Sequence, residues 1–479
     1  LYKNSDAGVT VSLVTGTGSG GDAAGDVLVG IDNVVGSQFD DVLTGNADDN
    51  LLRGRSGDDT IEAGLGNDTL FGDGGADSLS AGDGNDTLFG GSGADTLDGG
   101  IGTDLADYEA STAGVQVSLD GSAGTGGDAA GDILVGIENL RGSAFDDELT
   151  GDGLDNLIKG LAGNDTLDGL GGADTLRGGA GDDTLVGGDG ADSLDGGDGV
   201  DLVDYSASAS GVMVFLNGAT VSGGDAAGDS LGDIENLTGT AFDDVLSGSG
   251  QANTLTGNLG DDSLLGRNGD DLLFGGGGND TIEAGDGADT VDGGIGDDEL
   301  TGGDGADSLS GGADNDVLFG GDGADTVDGG AQDDLIEGGN GTDSLSGGDG
   351  DDTVFGENAD DTIDGGIGND TLFGGAGKDS IDGGAGDDLI RGGSGGDVIA
   401  GGAGADVFEF ETAGGIDRIT DFEDGIDLID FSPSGLAFGD LTISEYGSGA
   451  GTKIVSGSYK VFLEGVDEND IDQNDFLLI

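Results

Sequence analysis

Gly275-Gly276-Gly277-Gly278-Asn279-Asp280-Thr281-Ile282-Glu283 is followed at once by Ala284-Gly285-Asp286-Gly287-Ala288-Asp289-Thr290-Val291-Asp292. The shared frame is Gly-Gly-x-Gly-x-Asp-x-U-x, where U is a large aliphatic, and stepping by nine residues carries it from Gly239 to Glu409. Two shorter arrays hold the same phase, Gly36 to Asp107 and Gly142 to Asp204. Position six is Asp except at Asn50, Asn156 and Asn253, and position eight is Leu, Ile or Val except at Ala106 and Phe408. A disordered chain has no reason to keep such phase. An internal repeat of this kind decides the fold before any local propensity does.

One apolar residue in nine cannot make a helical stripe. It predicts a three-residue strand, x-U-x, with U inward, and leaves six residues to turn. Glycine at positions one, two and four suits positive φ values and close backbone approach. The position-six aspartate then projects from every turn, and coils stacked about 4.8 Å apart align these carboxylates in ladders. Two carboxylates near 4 Å repel by roughly 4 kcal/mol at an intermediate dielectric, so a cation is expected between them.

Composition narrows the function. The 479 residues include 113 Gly and 100 Asp plus Glu against 12 Lys plus Arg, a net charge of −88. Phosphate recognition needs clustered cations, so nucleic acid is excluded as a partner. Cys, His and Trp are absent, which removes disulfides, Cys or His metal ligation and every Ser-His or Cys-His nucleophile within these residues. No run of eighteen apolar residues exists, so no transmembrane segment is expected.

The frame resembles the RTX (hemolysin-type) calcium-binding repeat. The resemblance implies an all-β fold, a parallel β-roll (a right-handed β-solenoid) in which two repeats form one coil and calcium lies in the turns of both edges. Calcium suits these turns because it takes six to eight oxygens in flexible geometry, here from Asp side chains and carbonyls, whereas magnesium demands a stricter octahedron. The candidate metal ligands are Asp59, Asp68, Asp77, Asp86 and Asp95 of the first array and Asp165, Asp174, Asp183 and Asp192 of the second. In the third they are Asp262, Asp271, Asp280, Asp289, Asp298, Asp307, Asp316, Asp325, Asp334, Asp343, Asp352, Asp361, Asp370, Asp379, Asp388, Asp397 and Asp406. No catalytic residue is assigned, and folding and metal binding are expected to be one event.

Each array opens irregularly. Phe39, Phe145 and Phe242 replace the position-four glycine of the first repeat, and Asn50, Asn156 and Asn253 the position-six aspartate of the second. The phenylalanines are expected to be lids over the apolar core, since terminal repeats need atypical faces, and the first site is expected to be weakened. Asp314, Gln332 and Ala359 break position four of the long array. The first two fall on adjacent coils of one edge, which makes the sites of Asp316 and Asp334 the weakest there. Outward Phe71, Phe89, Phe319, Phe355 and Phe373 suggest a contact stripe that Glu337 interrupts. Outward Thr281, Thr290 and Thr371 reflect β propensity rather than an ice-binding lattice, because Ser, Leu and Val break their series.

Residues 108–141 and 205–238 are spacers, and residues 1–35 contain a third copy. Tyr2, Tyr108 and Tyr205 stand at equal phase, followed by GVTVSL, GVQVSL or GVMVFL and then a GDAAGD block. The alternating segment predicts a longer strand and the glycine-rich stretch a surface excursion. Asp32, Glu138 and Glu235 lie nine residues before the first array aspartates, so the roll is expected to begin one repeat before its glycines do. The organisation is thus 1–35 partial spacer, 36–107 array, 108–141 spacer, 142–204 array, 205–238 spacer, 239–409 array and 410–479 C-terminal module. Leu1 is not expected to be a natural start, and further units are expected upstream.

After Glu409 apolar content rises, and the chain finishes Asp475-Phe476-Leu477-Leu478-Ile479. This region resembles the C-terminal cap and uncleaved signal of proteins exported by type I secretion machinery. The combined expectation is a secreted, extracellular or cell-surface module, not itself an enzyme. It would fold on calcium outside the cell and act as a structural, surface or adhesion element toward a cell-surface or polysaccharide partner. The alternative is the stabilising and secretion module of a larger extracellular protease, lipase, nuclease or epimerase.

Overall fold

The computed structural model describes residues 1–218, 221–411, 415–447, 449–457 and 459–477. The chain divides into two compact units, Leu1–Thr238 and Gly239–Ile479. The second begins at the first residue of the third array.

In the second unit, Thr281–Gly287 pairs in parallel with Glu299–Gly305, with Thr281 opposite Glu299, Ile282 opposite Leu300 and Glu283 opposite Thr301. The partners are eighteen residues apart, so two repeats make one coil. The intervening strand Thr290–Ile295 belongs to another sheet, between Leu272–Gly277 and Ser308–Ala313. Position eight of both sheets faces the interior: Ile282 and Val291 are each 1% exposed and Leu300 is fully buried. The all-β parallel roll expected from the nine-residue beat is therefore present.

The strands are longer than expected. Thr281–Gly287 and Glu299–Gly305 remain paired through Gly285 with Gly303 and Asp286 with Asp304, well into the segment read as turn. Regular coils bend at the same position of the frame, mostly glycine but also Asn258, Arg267 and Glu357 at positive φ, so neighbouring backbones stay parallel through the bend and keep their hydrogen bonds. Position two carries that bend at positive φ, 111° at Gly276 and 120° at Gly285. In the second array some strands keep the expected three residues, as at Thr166–Asp168 and Thr184–Val186.

In the first unit the spacers are part of the roll. Asn139–Arg141 pairs in parallel with Leu105–Asp107 and with Leu157–Ala162, and Asn33–Val35 pairs with Leu51–Ser56. The coil does begin one repeat before the glycines. The alternating segment gives a three-residue strand, Gln116–Ser118, rather than a longer one, and it pairs with Glu148–Thr150. Val117 in this strand and Val115 just before it are buried. The glycine-rich stretch folds back antiparallel, Thr10–Ser12 against Thr17–Ser19.

The C-terminal module caps the apolar interior. Phe408 is fully buried, with the Phe422 ring 6.1 Å away, and Phe410 lies 5.4 Å from Phe431. Thr442–Tyr446, Gly451–Ser456 and Tyr459–Glu464 form an antiparallel meander whose last strand pairs with Ile416–Ile419. The terminal segment joins this cap as far as it is described: Phe476 sits opposite Ile429 and 6.2 Å from the Phe431 ring, while Leu478 and Ile479 lie outside the described residues. One expectation needs correction: Phe39, Phe145 and Phe242 are not lids, since each is 46–47% exposed. Position four lies on the outer edge of the turn, so a large side chain there has no route to the interior.

Candidate metal centre

The position-six aspartates do not wave from the turns but are folded into them. Asp280 is 1% exposed and Asp262 2%. Asp280 Oδ1 accepts the Asp262 N–H at 2.8 Å, and the Asp280 N–H donates to Asp298 Oδ1 at 2.7 Å. The same bond, one coil to the next, runs through Asp59, Asp77 and Asp95 on one edge and Asp68, Asp86 and Asp104 on the other. Each carboxylate is thus fixed by the coil before it.

Its second oxygen is left over. Oδ2 is enclosed and has no hydrogen-bond partner at the position-six aspartates from Asp59 to Asp104, from Asp165 to Asp201 and from Asp262 to Asp397. An enclosed carboxylate oxygen without a donor is costly, and a whole ladder of them is not repeat decay. Position one explains the space around it. A Cβ added to Gly275 would fall 2.3 Å from Asp280 Oδ2 and 2.7 Å from the carbonyl oxygen of Gly293, one coil on. Glycine here leaves a gap walled by a carboxylate and a carbonyl. Its φ is not the reason, because positive values occur at position two (Gly276) and position four (Gly278, 130°).

Burial pushes the Asp280 carboxyl up to about 6, against the lowering pull of the Asp262 N–H. Asp262 rises to about 7, with burial leading and the Asp244 and Asp280 carboxylates adding to it. Among the described residues no three acidic side chains converge on one point, so any cation would be held by one or two carboxylates and by main-chain carbonyls. That donor set is all oxygen, which fits calcium.

All of the candidate ligands except Asp406 have the enclosed, unpartnered oxygen. Asp104 and Asp201 have it too, and sequence reasoning passed them over although each holds position six in the last repeat of its array. Position five was also missed. Asp261 Oδ1 accepts the Asn279 N–H at 2.9 Å and Asp351 Oδ1 the Asn369 N–H at 2.7 Å, forming a second, exposed ladder that binds coil to coil. Its only sequence signal is the frequency of Asp and Asn there.

At Asp314, Gln332 and Ala359 the turn is kept with φ of 83°, 83° and 86°, a strained choice for residues with a Cβ. Gln332 Nε2 donates to Asp314 Oδ1 at 2.7 Å, placing the two on adjacent coils of one edge as expected. The outward phenylalanines form two short stacks, Phe71 on Phe89 at 4.5 Å and Phe355 on Phe373 at 4.8 Å. Arg53 and Arg391 cover one ring of each. Phe319 faces Glu337, so the stripe is broken where the sequence suggested.

The profile of the RTX calcium-binding nonapeptide repeat family matches overlapping segments that together span residues 28–106, 134–203 and 231–408. The chain belongs to the RTX calcium-binding repeat family. These RTX segments contain every position-six aspartate with an enclosed Oδ2. No curated protein matches the chain. Among solved structures, the solution structure of the AlgE6R3 subunit of the Azotobacter vinelandii mannuronan C5-epimerase is 32% identical over 25% of this chain and 79% of that one, with a TM-score of 0.23. The AlgE6R2 subunit of the same enzyme is 24% identical over 31% of this chain and 92% of that one, with a TM-score of 0.19. Both likenesses to the RTX roll are local.

Proposed function

We propose that the enclosed position-six aspartates, including Asp104 and Asp201, hold calcium together with turn carbonyls, and that the roll folds when calcium reaches it outside the cell. One observation carries this reading: the ladder of buried Oδ2 atoms without donors. Without a cation these charges penalise the fold, and with one they knit each coil to the next. Calcium supplies the positive charge and the coordination that the chain lacks. The folded product is a structural, surface or adhesion module, with a cell surface or polysaccharide as its partner and the C-terminal module as its route to type I export. Among the described residues no helix is long and apolar enough to cross a membrane.

The test is circular dichroism of the full chain in chelator and in calcium. Chelated protein is expected to lose β structure, and calcium in the range of about 10⁻⁴ to 10⁻³ M, where extracellular modules bind, to restore it. Equal concentrations of magnesium should fail. A β spectrum that persists in excess chelator refutes the coupling.

A further inference from the structure

The ladder of unpartnered carboxylate oxygens is interrupted at recurring places, where protein donors reach the oxygen that regular turns leave bare, or where the acid is replaced. Between Tyr108 and Asn156 four successive turns depart from the regular one, and at Asp132 and Asp147 both carboxylate oxygens have donors. Asp132 Oδ2 accepts the Tyr108 hydroxyl at 3.1 Å and its Oδ1 the Asp95 N–H at 2.9 Å. Glu138 Oε2 accepts the Asp104 N–H at 2.8 Å. Asp147 Oδ2 accepts the Ser143 N–H at 2.5 Å, while its Oδ1 accepts the Ser143 hydroxyl at 2.8 Å and the Val115 N–H at 2.7 Å. The last turn carries Asn156, uncharged, whose Oδ1 accepts the Asp152 N–H at 2.9 Å.

The pattern recurs. Tyr2 donates to Asp26 at 3.0 Å, and Asp41 takes the Ser37 N–H at 2.6 Å and hydroxyl at 2.9 Å. Tyr205 donates to Asp229 at 2.9 Å. In the second unit Asp244 takes the Thr240 N–H at 2.5 Å and hydroxyl at 3.1 Å. By contrast, Asp183 in a regular turn accepts one N–H on Oδ1 and nothing on Oδ2.

We infer that these turns refuse calcium, so that the roll is loaded in blocks separated by cation-free coils. The physical reason is twofold. N–H and O–H donors take up the lone pairs that a metal ion would need, since each carboxylate oxygen has few acceptor sites, and a donor hydrogen aimed at the carboxylate repels a cation in the same space. Position two decides which turn forms. In regular turns that position bends at positive φ, whether it is glycine or, as at Arg55, Leu161 and Arg267, a residue with a side chain, whereas Ser37, Ser143 and Thr240 are not at positive φ and instead aim an N–H and a hydroxyl at the carboxylate. Position four follows, because Phe39, Phe145 and Phe242 are not among the residues at positive φ. The weakened first site expected from the sequence is, on this inference, no site at all.

This rests on calcium binding at the regular turns, and the experiment separates the two. Native mass spectrometry of the calcium-loaded full chain counts ions, with circular dichroism verifying the fold of each variant. Asp183→Ala should lower the count, and an unchanged count would defeat the calcium reading of regular turns. Asp147→Ala should leave the count as it is, and a loss matching that of Asp183→Ala overturns the inference. Should Asp147→Ala fail to fold, the double variant Ser143→Gly, Phe145→Gly decides the matter, since it restores the regular frame at residues 142–147. A gain of one ion supports refusal by the native turn, and a folded double variant with no gain overturns it.

Discussion

The Tyr108 hydroxyl donates to Asp132 Oδ2 at 3.1 Å across twenty-four residues, and Tyr205 meets Asp229 in the same way at 2.9 Å. Tyr108 is 2% exposed and Asp132 fully buried, so this bond takes the part that a cation would take in a regular turn. Burial leads in pushing the Asp132 carboxyl up to about 7, while the Tyr108 hydroxyl pulls it down.

Tyr108→Phe removes that hydroxyl and leaves Oδ2 enclosed, which costs about 1–3 kcal/mol. The folded pKa of Asp132 should then rise further. A group with a raised folded pKa stabilises below its unfolded value, near 3.9, and loses that stabilisation as pH climbs through the folded value. The variant should therefore lose more stability than the parent at pH 8 and much less at pH 5. Urea melts in saturating calcium measure this. An equal loss at both pH values would show that the ring and not the hydrogen bond is what matters.

Without calcium the same sign applies to whole ladders. Asp59, Asp165, Asp262 and Asp361 are raised to about 7 and Asp77, Asp183 and Asp280 to about 6, burial leading in each. Protonation contributes to the metal-free fold at pH 4 and is lost as pH rises through 6 to 7. Chelated protein should accordingly gain β structure on acidification from pH 8 to pH 4.5. Calcium affinity should weaken over the same interval, because the proton and the ion compete for Oδ2. A chelated chain that stays unfolded at pH 4.5, where it is still soluble, contradicts this.

Asp280→Ala removes the enclosed Oδ2 proposed to hold calcium and the acceptor of the Asp262 N–H. It should shift the calcium midpoint of folding upward, whereas Asp98→Ala, at the outward ninth position, should stay within about 0.5 kcal/mol of the parent. Calcium titration followed by circular dichroism compares them. Equal shifts would mean that the nine-residue frame has been set in the wrong phase.

Removing residues 475–479 takes away Phe476, which pairs opposite Ile429 and faces Phe431. Because Phe431 is 1% exposed, the truncated chain should melt its C-terminal module first, while the arrays still fold with calcium. Hydrogen exchange resolved along the chain reads both regions. Protection in residues 415–465 equal to that of the intact chain would show that the terminal strand is dispensable for the cap. Export of the truncated and intact chains through a type I system, compared in parallel, then separates a signal role from a capping one.

Sequence alone determined the coil: a period of nine with one aliphatic and one aspartate fixes which side chains face inward and which ladder they join, because every repeat must satisfy the same geometry as its neighbours. The early start of the roll at Glu138 was legible for that reason, as was the adjacency of Asp314 and Gln332. What lies between coils was not. That Gly275 makes room for Asp280 Oδ2 rather than supplying a positive φ, that Phe145 points outward, and that Phe476 closes the cap depend on where atoms eighteen or more residues away come to rest. The distinction between Asp183, with one oxygen left bare, and Asp147, with both supplied, likewise belongs to the tertiary structure. Both are position-six aspartates in the sequence, and the Ser143 N–H and hydroxyl and the Val115 N–H that reach Asp147, with nothing reaching Asp183 Oδ2, tell them apart.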